Sequence, residues 1–271
     1  MLLDFSYRMT LEFSDPVEDQ YFVMRCIPRD TDRQKLTALN TEVEPDTVIH
    51  RDTDGLGNRM LYGLIREEHD RFCLSVSGTV ETTGSLYEEY EDRSSADLFR
   101  YLTPSGYTQP GQELLSVCRM LTETAPDDDY GRLLHFAGYV RDNITYLPGA
   151  TDVHTTAEAA LKQRKGVCQD YAHVLIALLR LTGIPARYVA GLMRGEGESH
   201  AWVEANCNGY WYGIDPTNNL LTDDSYIKFS HGRDYEDCMV SRGIFRNPRA
   251  MQTMGIAVSV VPGDQETAPQ Q

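Results

Sequence analysis

The chain has 271 residues, 41 % of them apolar and 24 % charged, a composition typical of a globular protein large enough for two domains. Its formal net charge of −16 at pH 7 repels phosphate backbones and anionic lipids, so nucleic-acid and membrane partners are not expected. The first five residues lack the basic and apolar regions of a secretory signal, and no stretch approaches the roughly 20 apolar residues of a membrane span.

The cysteines are scattered along the chain and form no Cys-x-x-Cys pair. In a chain of this size, that spacing argues against a disulfide framework and against a closed zinc site. We therefore expect a reducing, cytoplasmic compartment. The six positions are Cys26, Cys73, Cys118, Cys168, Cys207 and Cys238.

The N-terminal third has the alternating pattern of β-strands. Residues 3–13 alternate apolar and polar side chains with a period of two, which predicts a strand with one face on a core. Turn residues at 52–58 and elsewhere separate further apolar runs, and no helical pattern lies between them. Strands are expected at residues 3–13, 21–27, 60–65 and 72–80. The pattern predicts an antiparallel sandwich from residue 1 to about residue 81.

The pattern changes after Gly84. Residues 86–110 are acidic, aromatic and proline-containing, and we expect a connection with little regular structure there. Helical periodicity and shorter alternating runs follow. Helices are expected at residues 112–122, 128–144 and 168–182, with a capping box at 155–158 before another helix, and strands at 186–193, 200–207, 210–214 and 254–261.

Cys168 lies at the expected start of an apolar helix, two residues after Gly166. There the unpaired amides and the positive end of the helix dipole favour a thiolate over a thiol. The same amides are suited to holding an oxyanion. Position alone leaves open that Cys168 is a small buried apolar residue, which is how we interpret the other five cysteines.

A hairpin signal brings a histidine and an aspartate together. Asn208-Gly209 between two alternating runs predicts a two-residue type I′ turn. In that register Trp202 lies opposite Asp215, and His200 shares a face with Trp202. His200 and Asp215 are then diagonal neighbours about 7–8 Å apart in backbone, which predicts a hydrogen bond between their side chains. A loop one residue longer would place the two side chains on opposite faces.

The remaining histidines have no such support. His173 comes five positions after Cys168 on a different face of the helix, so it is a poor base for that thiol. A metal site built from Cys168, His173, His200 and Cys207 lacks recognised ligand spacing. Five further histidines are interpreted as surface or internally hydrogen-bonded residues: His50, His69, His135, His154 and His231.

Several blocks of sequence, in order, resemble bacterial transglutaminase-like cysteine proteases of the transglutaminase-like superfamily. The blocks of the second half are Gly-Val-Cys-Gln-Asp-Tyr-Ala-His (166–173), Leu-Thr-Gly-Ile-Pro-Ala-Arg-Tyr-Val-Ala-Gly (181–191), His-Ala-Trp-Val-Glu (200–204), Asp-Pro-Thr-Asn (215–218), His-Gly-Arg-Asp-Tyr-Glu-Asp (231–237) and Arg-Gly-Ile-Phe (242–245). Upstream, Asp-Gly-Leu-Gly-Asn (54–58) and the strand-rich start resemble the β-sandwich domain that precedes the catalytic domain in bacterial members.

The resemblance implies an α+β fold with an N-terminal antiparallel β-sandwich followed by a papain-like, transglutaminase-like catalytic domain. The expected division is 1–110 for the sandwich with its connection, 111–262 for the catalytic domain and 263–271 for a flexible tail. It also implies a triad of Cys168 as nucleophile, His200 as base and Asp215 as its orienting acid. No cofactor and no metal requirement is expected, since the calcium-binding elaborations of animal transglutaminases have no visible counterpart.

The triad predicts acyl transfer through a thioester, and three functions remain open. The first is a cysteine hydrolase of amide bonds in a protein or peptide. The second is a transferase that resolves the same thioester with an amine, and the third is a binding module without turnover. The Cys168 amide is one candidate oxyanion donor, and the second is left among Gln163, Gln169, Tyr146 or an indole. The sequence makes no prediction of the oligomeric state.

Overall fold

The structure is a computed structural model that describes residues 1–92 and 95–263. Beyond Gly263, the expected flexible tail lies outside the described residues. The strands are β1 (Leu2–Met24), β2 (Gln34–Glu44), β3 (His50–Thr53), β4 (Arg59–Ile65), β5 (His69–Thr82), β6 (Tyr87–Tyr90), β7 (Thr145–Tyr146), β8 (Lys165–Gly166), β9 (Ala186–Met193), β10 (Gly195–Gly197), β11 (His200–Cys207), β12 (Tyr210–Asp215), β13 (Leu220–Leu221), β14 (Tyr226–Gly232), β15 (Ser241–Arg246) and β16 (Gln252–Pro262). The helices are α1 (Phe99–Leu102), α2 (Gln112–Thr122), α3 (Asp129–Asn143), α4 (Ala157–Gln163), α5 (Cys168–Leu181) and α6 (Tyr235–Cys238), and a 3₁₀ turn covers Ala96–Leu98.

The N-terminal half is built around β1, which is longer than the sequence pattern predicts. Residues 3–13 pair with β16 on one side and β5 on the other, and the alternating apolar side chains face a core, as expected. The segment 21–27, expected as a separate strand, largely continues β1 as far as Met24 and pairs with β15 and β4. Between Glu12 and Val17 the pairing of β1 with β5 shifts register, so one strand takes part in both layers of the sandwich.

The second half is an antiparallel sheet with helices packed on it. Its strands run in the order β13-β12-β11-β9-β14, and β6 pairs with β12. Helix α5 packs against β9 and β11, and all its residues from Asp170 to Arg180 are buried. Helix α5 is therefore the central element of this half, and the packing around it fixes the position of its first residue, Cys168.

Strand pairing crosses the expected domain boundary at residues 110 and 111 in both directions. The segment 86–110, expected to have little regular structure, contributes β6 to the second sheet. In return, β10, β15 and β16 pair within the eight-stranded sheet of the N-terminal half. These three strands belong to the range 111–262, so part of the expected catalytic domain pairs with the sheet of the N-terminal half.

The two halves share an apolar core. Leu192, Ile227 and Phe229 of the second sheet belong to the buried cluster of the N-terminal half. The Phe229 ring meets the rings of Phe5 and Tyr7 edge-on, at centroid distances of 6.2 and 5.9 Å. Because edge-to-face aromatic contacts and apolar burial both favour this arrangement, the N-terminal sandwich is a support for the second sheet.

No helix within residues 1–92 and 95–263 is long and apolar enough to cross a membrane. Within the same residues, no group of three or more histidine, cysteine, aspartate or glutamate side chains is placed to hold a metal ion.

Candidate active site

Cys168 is the first residue of α5, as the sequence predicts. Val167 is the extended residue before the helix, and the carboxylate of Asp170 accepts its backbone N–H at 2.8 Å. The hydroxyl of Thr151 donates to the same carboxylate oxygen at 2.7 Å, which ties the loop after β7 to the helix start. Cys168 itself is half-buried, so its thiol is reachable from solvent while its backbone is fixed.

The predicted hairpin is confirmed. Asn208 and Gly209 both have positive φ, 54° and 92°, as a type I′ turn requires. Val203 lies opposite Ile214, which is the register expected from the two-residue loop. The chain therefore brings the first residue of β11 and the last residue of β12 to the same face at the same end of the sheet.

The predicted hydrogen bond between His200 and Asp215 is also confirmed. His200 Nε2 lies 2.8 Å from Asp215 Oδ2. Since Nε2 is engaged with the carboxylate, Nδ1 is the ring nitrogen that remains for Cys168. The imidazole thus lies between the carboxylate and the thiol.

Asp215 is fully buried, and its carboxylate is satisfied by donors besides His200. Tyr226 donates its hydroxyl at 3.0 Å, Asn218 its side-chain amide at 2.7 Å, and Thr217 its backbone N–H at 2.9 Å. Burial alone would raise the pKa of Asp215, but the hydrogen bond and charge of His200 and the other donors hold it below its ordinary value. The aspartate is therefore ionised at neutral pH.

The charge state of His200 follows from these neighbours. Burial alone would lower the pKa of His200, but hydrogen bonds to Asp215 and Cys168, together with their charges, raise it to about 10. The rings of Trp202 and Tyr226 lie beside the imidazole, at 6.5 and 6.3 Å between centroids. The site therefore favours an imidazolium at neutral pH.

The structure separates the candidates for the second oxyanion donor. The side-chain amide of Gln169 donates to the carbonyl of Val153 at 3.2 Å, and that of Gln163 donates to Lys165 at 3.3 Å. The indole N–H of Trp211 donates to Glu91 at 3.0 Å. Each of these three groups is therefore engaged elsewhere in the fold, whereas the indole of Trp202 lies beside the His200 ring, at 6.5 Å between centroids.

Tyr146 lies in β7, beside the short strand that leads into Cys168. It pairs with Gly166, two residues before Cys168, through the short parallel ladder of β7 and β8. Its side chain is 52 % exposed. Partial burial raises the pKa of Tyr146, and the charges of Cys168 and then Glu198 raise it further. The phenol is therefore near enough to Cys168 and Glu198 for their charges to act on it, and it is half exposed.

A buried ionic network beneath the site was not predicted from the sequence. Arg187 Nε and Lys228 Nζ contact the carboxylate of Glu204 at 2.6 and 2.7 Å, and Lys228 also contacts Glu88 at 2.8 Å. The guanidinium of Arg187 lies over the ring of Trp211, 4.0 Å from its centroid. Removing one partner of such a buried pair typically costs about 3–5 kcal/mol. The only sequence signal was a charged residue inside each apolar strand pattern.

The other histidines and cysteines lie outside this arrangement. His173 is buried, its Nε2 accepts the backbone N–H of Tyr235 at 3.2 Å, and burial lowers its pKa to about 3. Since His173 is neutral and engaged with another element, it is not a base for the thiol. His231 is buried among cationic side chains and within hydrogen-bonding distance of Arg29. The buried cysteines are Cys26, Cys73, Cys118, Cys207 and Cys238.

Two family models match the chain. The model of the transglutaminase-like superfamily covers residues 117–216, which include all three residues of the predicted triad. The model of the bacterial transglutaminase-like N-terminal region covers residues 3–81.

Relatives of similar length are found in mycobacteria. An uncharacterised protein of Mycobacterium leprae is 30 % identical over 251 residues, which are 86 % of this chain and 89 % of the relative. An uncharacterised protein of Mycobacterium tuberculosis is 28 % identical over 295 residues, covering 95 % of this chain and 91 % of the relative. A protein-glutamine gamma-glutamyltransferase of Pseudomonas aeruginosa is 35 % identical over 86 residues, or 27 % of this chain and 13 % of that protein.

One solved structure shares the fold over nearly the whole chain. It is a candidate cysteine protease from Cytophaga hutchinsonii, with a TM-score of 0.80 and 24 % sequence identity. The alignment covers 99 % of this chain and 93 % of that one, so both halves of the fold are present in both proteins. At this identity the likeness concerns the fold.

Replacing Asp215 by asparagine should lower the pKa of His200. The wild-type imidazolium should persist through neutral pH and lose its proton only near pH 10. Asp215→Asn removes the charge that opposes the desolvation of the ring, so the proton should leave at a lower pH. An NMR titration of histidine-labelled protein measures both midpoints, with the exposed His154 as a reference signal. Equal midpoints in the two proteins would show that Asp215 does not set the charge of His200.

Proposed function

Because the chain belongs to the transglutaminase-like superfamily, we propose that it is a cysteine-dependent hydrolase of amide bonds in proteins or peptides. The observation that carries the proposal is the placement of the His200 ring between a buried carboxylate and a thiol at a helix N-terminus. These are the roles of orienting acid, general acid–base and nucleophile in acyl transfer.

The proposed first step forms a thioester. The Cys168 thiolate attacks the amide carbonyl carbon, and the carbonyl electron pair moves onto the oxygen. When the tetrahedral intermediate collapses, the C–N bond breaks and the His200 imidazolium gives its proton to the departing amine. The backbone N–H of Cys168 and the hydroxyl of Tyr146 are the proposed donors to the oxyanion.

The proposed second step returns the enzyme to its resting state. Neutral His200 accepts a proton from a water molecule as the water oxygen attacks the thioester carbonyl. The C–S bond then breaks, and the carboxylic acid product leaves the Cys168 thiolate beside the His200 imidazolium. Asp215 keeps the ring oriented in both steps and stabilises its positive charge.

An amine in place of water would make the same protein a transferase. The partial match to a protein-glutamine gamma-glutamyltransferase favours this as the second candidate. The thioester is common to both reactions, and the outcome depends on which acceptor reaches it. A binding module without turnover is the third outcome of the tests below.

A glutamine-containing donor peptide, with and without an added primary amine, tests the function. We expect hydrolysis in both conditions, seen either as ammonia released from the glutamine side chain or as cleavage of a peptide bond, and loss of this activity by about 10⁴-fold or more in Cys168→Ala. Cys73→Ala, which removes a buried cysteine of β5, is the matched control and should retain activity. If the peptide is instead joined to the amine, the transferase is correct, and no turnover of any donor would favour the binding module.

Tyr146→Phe tests the proposed oxyanion donor. Loss of one such donor typically lowers kcat by about 10²–10³-fold, with a smaller effect on KM, because the bond is strongest in the transition state. The tyrosine is half exposed, so the substitution should leave the fold intact. Tyr87→Phe, at an exposed position of β6, is the matched control. A kcat within about threefold of the wild type would remove Tyr146 from the mechanism.

A further inference from the structure

The short strand β10 leads directly into the histidine of the candidate triad. It covers Gly195–Gly197, and two residues separate it from His200. One edge of β10 pairs with residues 258–260 of β16, which makes it the outermost strand at that end of the first sheet. Within the part of the chain that the structure describes, no further strand pairs with it. Its second edge is therefore a template for the backbone of another chain.

The free edge of β10 is sterically open. All three residues are exposed, and a methyl group added at either glycine would meet nothing within 4 Å. Gly195 and Gly197 have φ of 131° and 151°, a conformation that L side chains rarely adopt. Glycine in a strand is typical of places where a second backbone approaches closely.

The same edge leads toward the candidate triad. Glu198 follows β10 immediately, and His200 opens the next strand, β11. A chain paired with β10 would therefore extend toward His200.

The sign of the exposed charges changes along β10. Glu196 and Glu198 are both exposed and lie nearest to His200, whereas the exposed Arg194 lies at the far end of β10. The nearest charges are thus negative. A cationic side chain on the arriving chain is the complement of these two carboxylates.

We propose that a substrate polypeptide binds in extended form by pairing with the free edge of β10, and that it presents a cationic side chain to Glu196 and Glu198. This inference rests on the proposed function, because it names the substrate class of the same site. Main-chain hydrogen bonds supply the affinity in such strand addition, and the two glutamates supply the preference. Unfolded or loop segments fit this mode of binding, since a folded strand has its own partners.

Alkylation of Cys168 by chloroacetylated tetrapeptides tests the inference without knowledge of the natural substrate. Chloroacetamide, which has no peptide arm, measures the reactivity of the thiol alone. We expect a lysine-containing arm to raise the second-order rate constant, and an arm with glutamate in place of lysine to raise it less. N-methylation of the arm should remove the gain at every second residue, by about tenfold, because alternate N–H groups face the neighbouring strand.

Charge is tested on the protein. Glu196→Gln and Glu198→Gln should each slow the lysine arm by about two- to fivefold at low ionic strength and leave chloroacetamide unaffected. Glu68→Gln, at an exposed turn between β4 and β5, is the matched control.

Different results would contradict the strand pairing and the cationic preference. Equal rates with and without an arm, or equal effects of N-methylation at successive positions, would overturn the strand pairing. Unchanged selectivity in both glutamine variants would overturn the cationic preference. A Cys168 that reacts with none of the reagents would instead count against the proposed function, so the two failures are distinguishable.

Discussion

The hydrogen bond between His200 and Asp215 is the contact on which the rest of the site depends. It joins two strands at 2.8 Å, between side chains that the hairpin brings to one face. Without the buried carboxylate, desolvation would lower the pKa of the imidazole. A single contact thus decides whether the imidazole is charged at neutral pH.

The surrounding structure keeps this contact in place at two levels. Near the site, Tyr226 and Asn218 hold the carboxylate, and Asp170 holds the helix start that carries the cysteine. Farther away, the buried ionic network around Glu204 holds the second sheet against strand β6 of the segment 86–110. The apolar packing of Phe229 holds the same sheet against the N-terminal sandwich. Catalytic groups on strands and helices of a shared core are held more precisely than groups on loops.

The N-terminal half has a more direct connection to the site than its separate family model suggests. Strand β16 closes the first sheet, and β10 extends that sheet to within three residues of His200. The first sheet therefore reaches the candidate triad, as well as supporting the second sheet. This connection gives a physical reason for the two halves to occur together.

Local signals in the sequence predicted the site, and long-range pairing escaped prediction. The turn at Asn208-Gly209 fixes the strand register that places His200 and Asp215 on the same face of the sheet. Gly166 and the apolar periodicity that follows it mark the start of the helix that carries Cys168. The return of β16 to β1 pairs residues 252–262 with residues 3–13, which lie far apart in the chain. The network of Arg187 and Lys228 is likewise invisible to periodicity, because a charge in an apolar strand looks the same whether it is paired or exposed.

The central claim is that Cys168 carries the acyl group during turnover. Rapid acid quenching of the enzyme with a donor peptide, followed by mass spectrometry of the proteolysed protein, tests it most directly. We expect a mass increase equal to the donor acyl group on the peptide that contains Cys168, and loss of that increase on treatment with hydroxylamine, which cleaves thioesters. Turnover without any such adduct, or with the adduct on another residue, would contradict it.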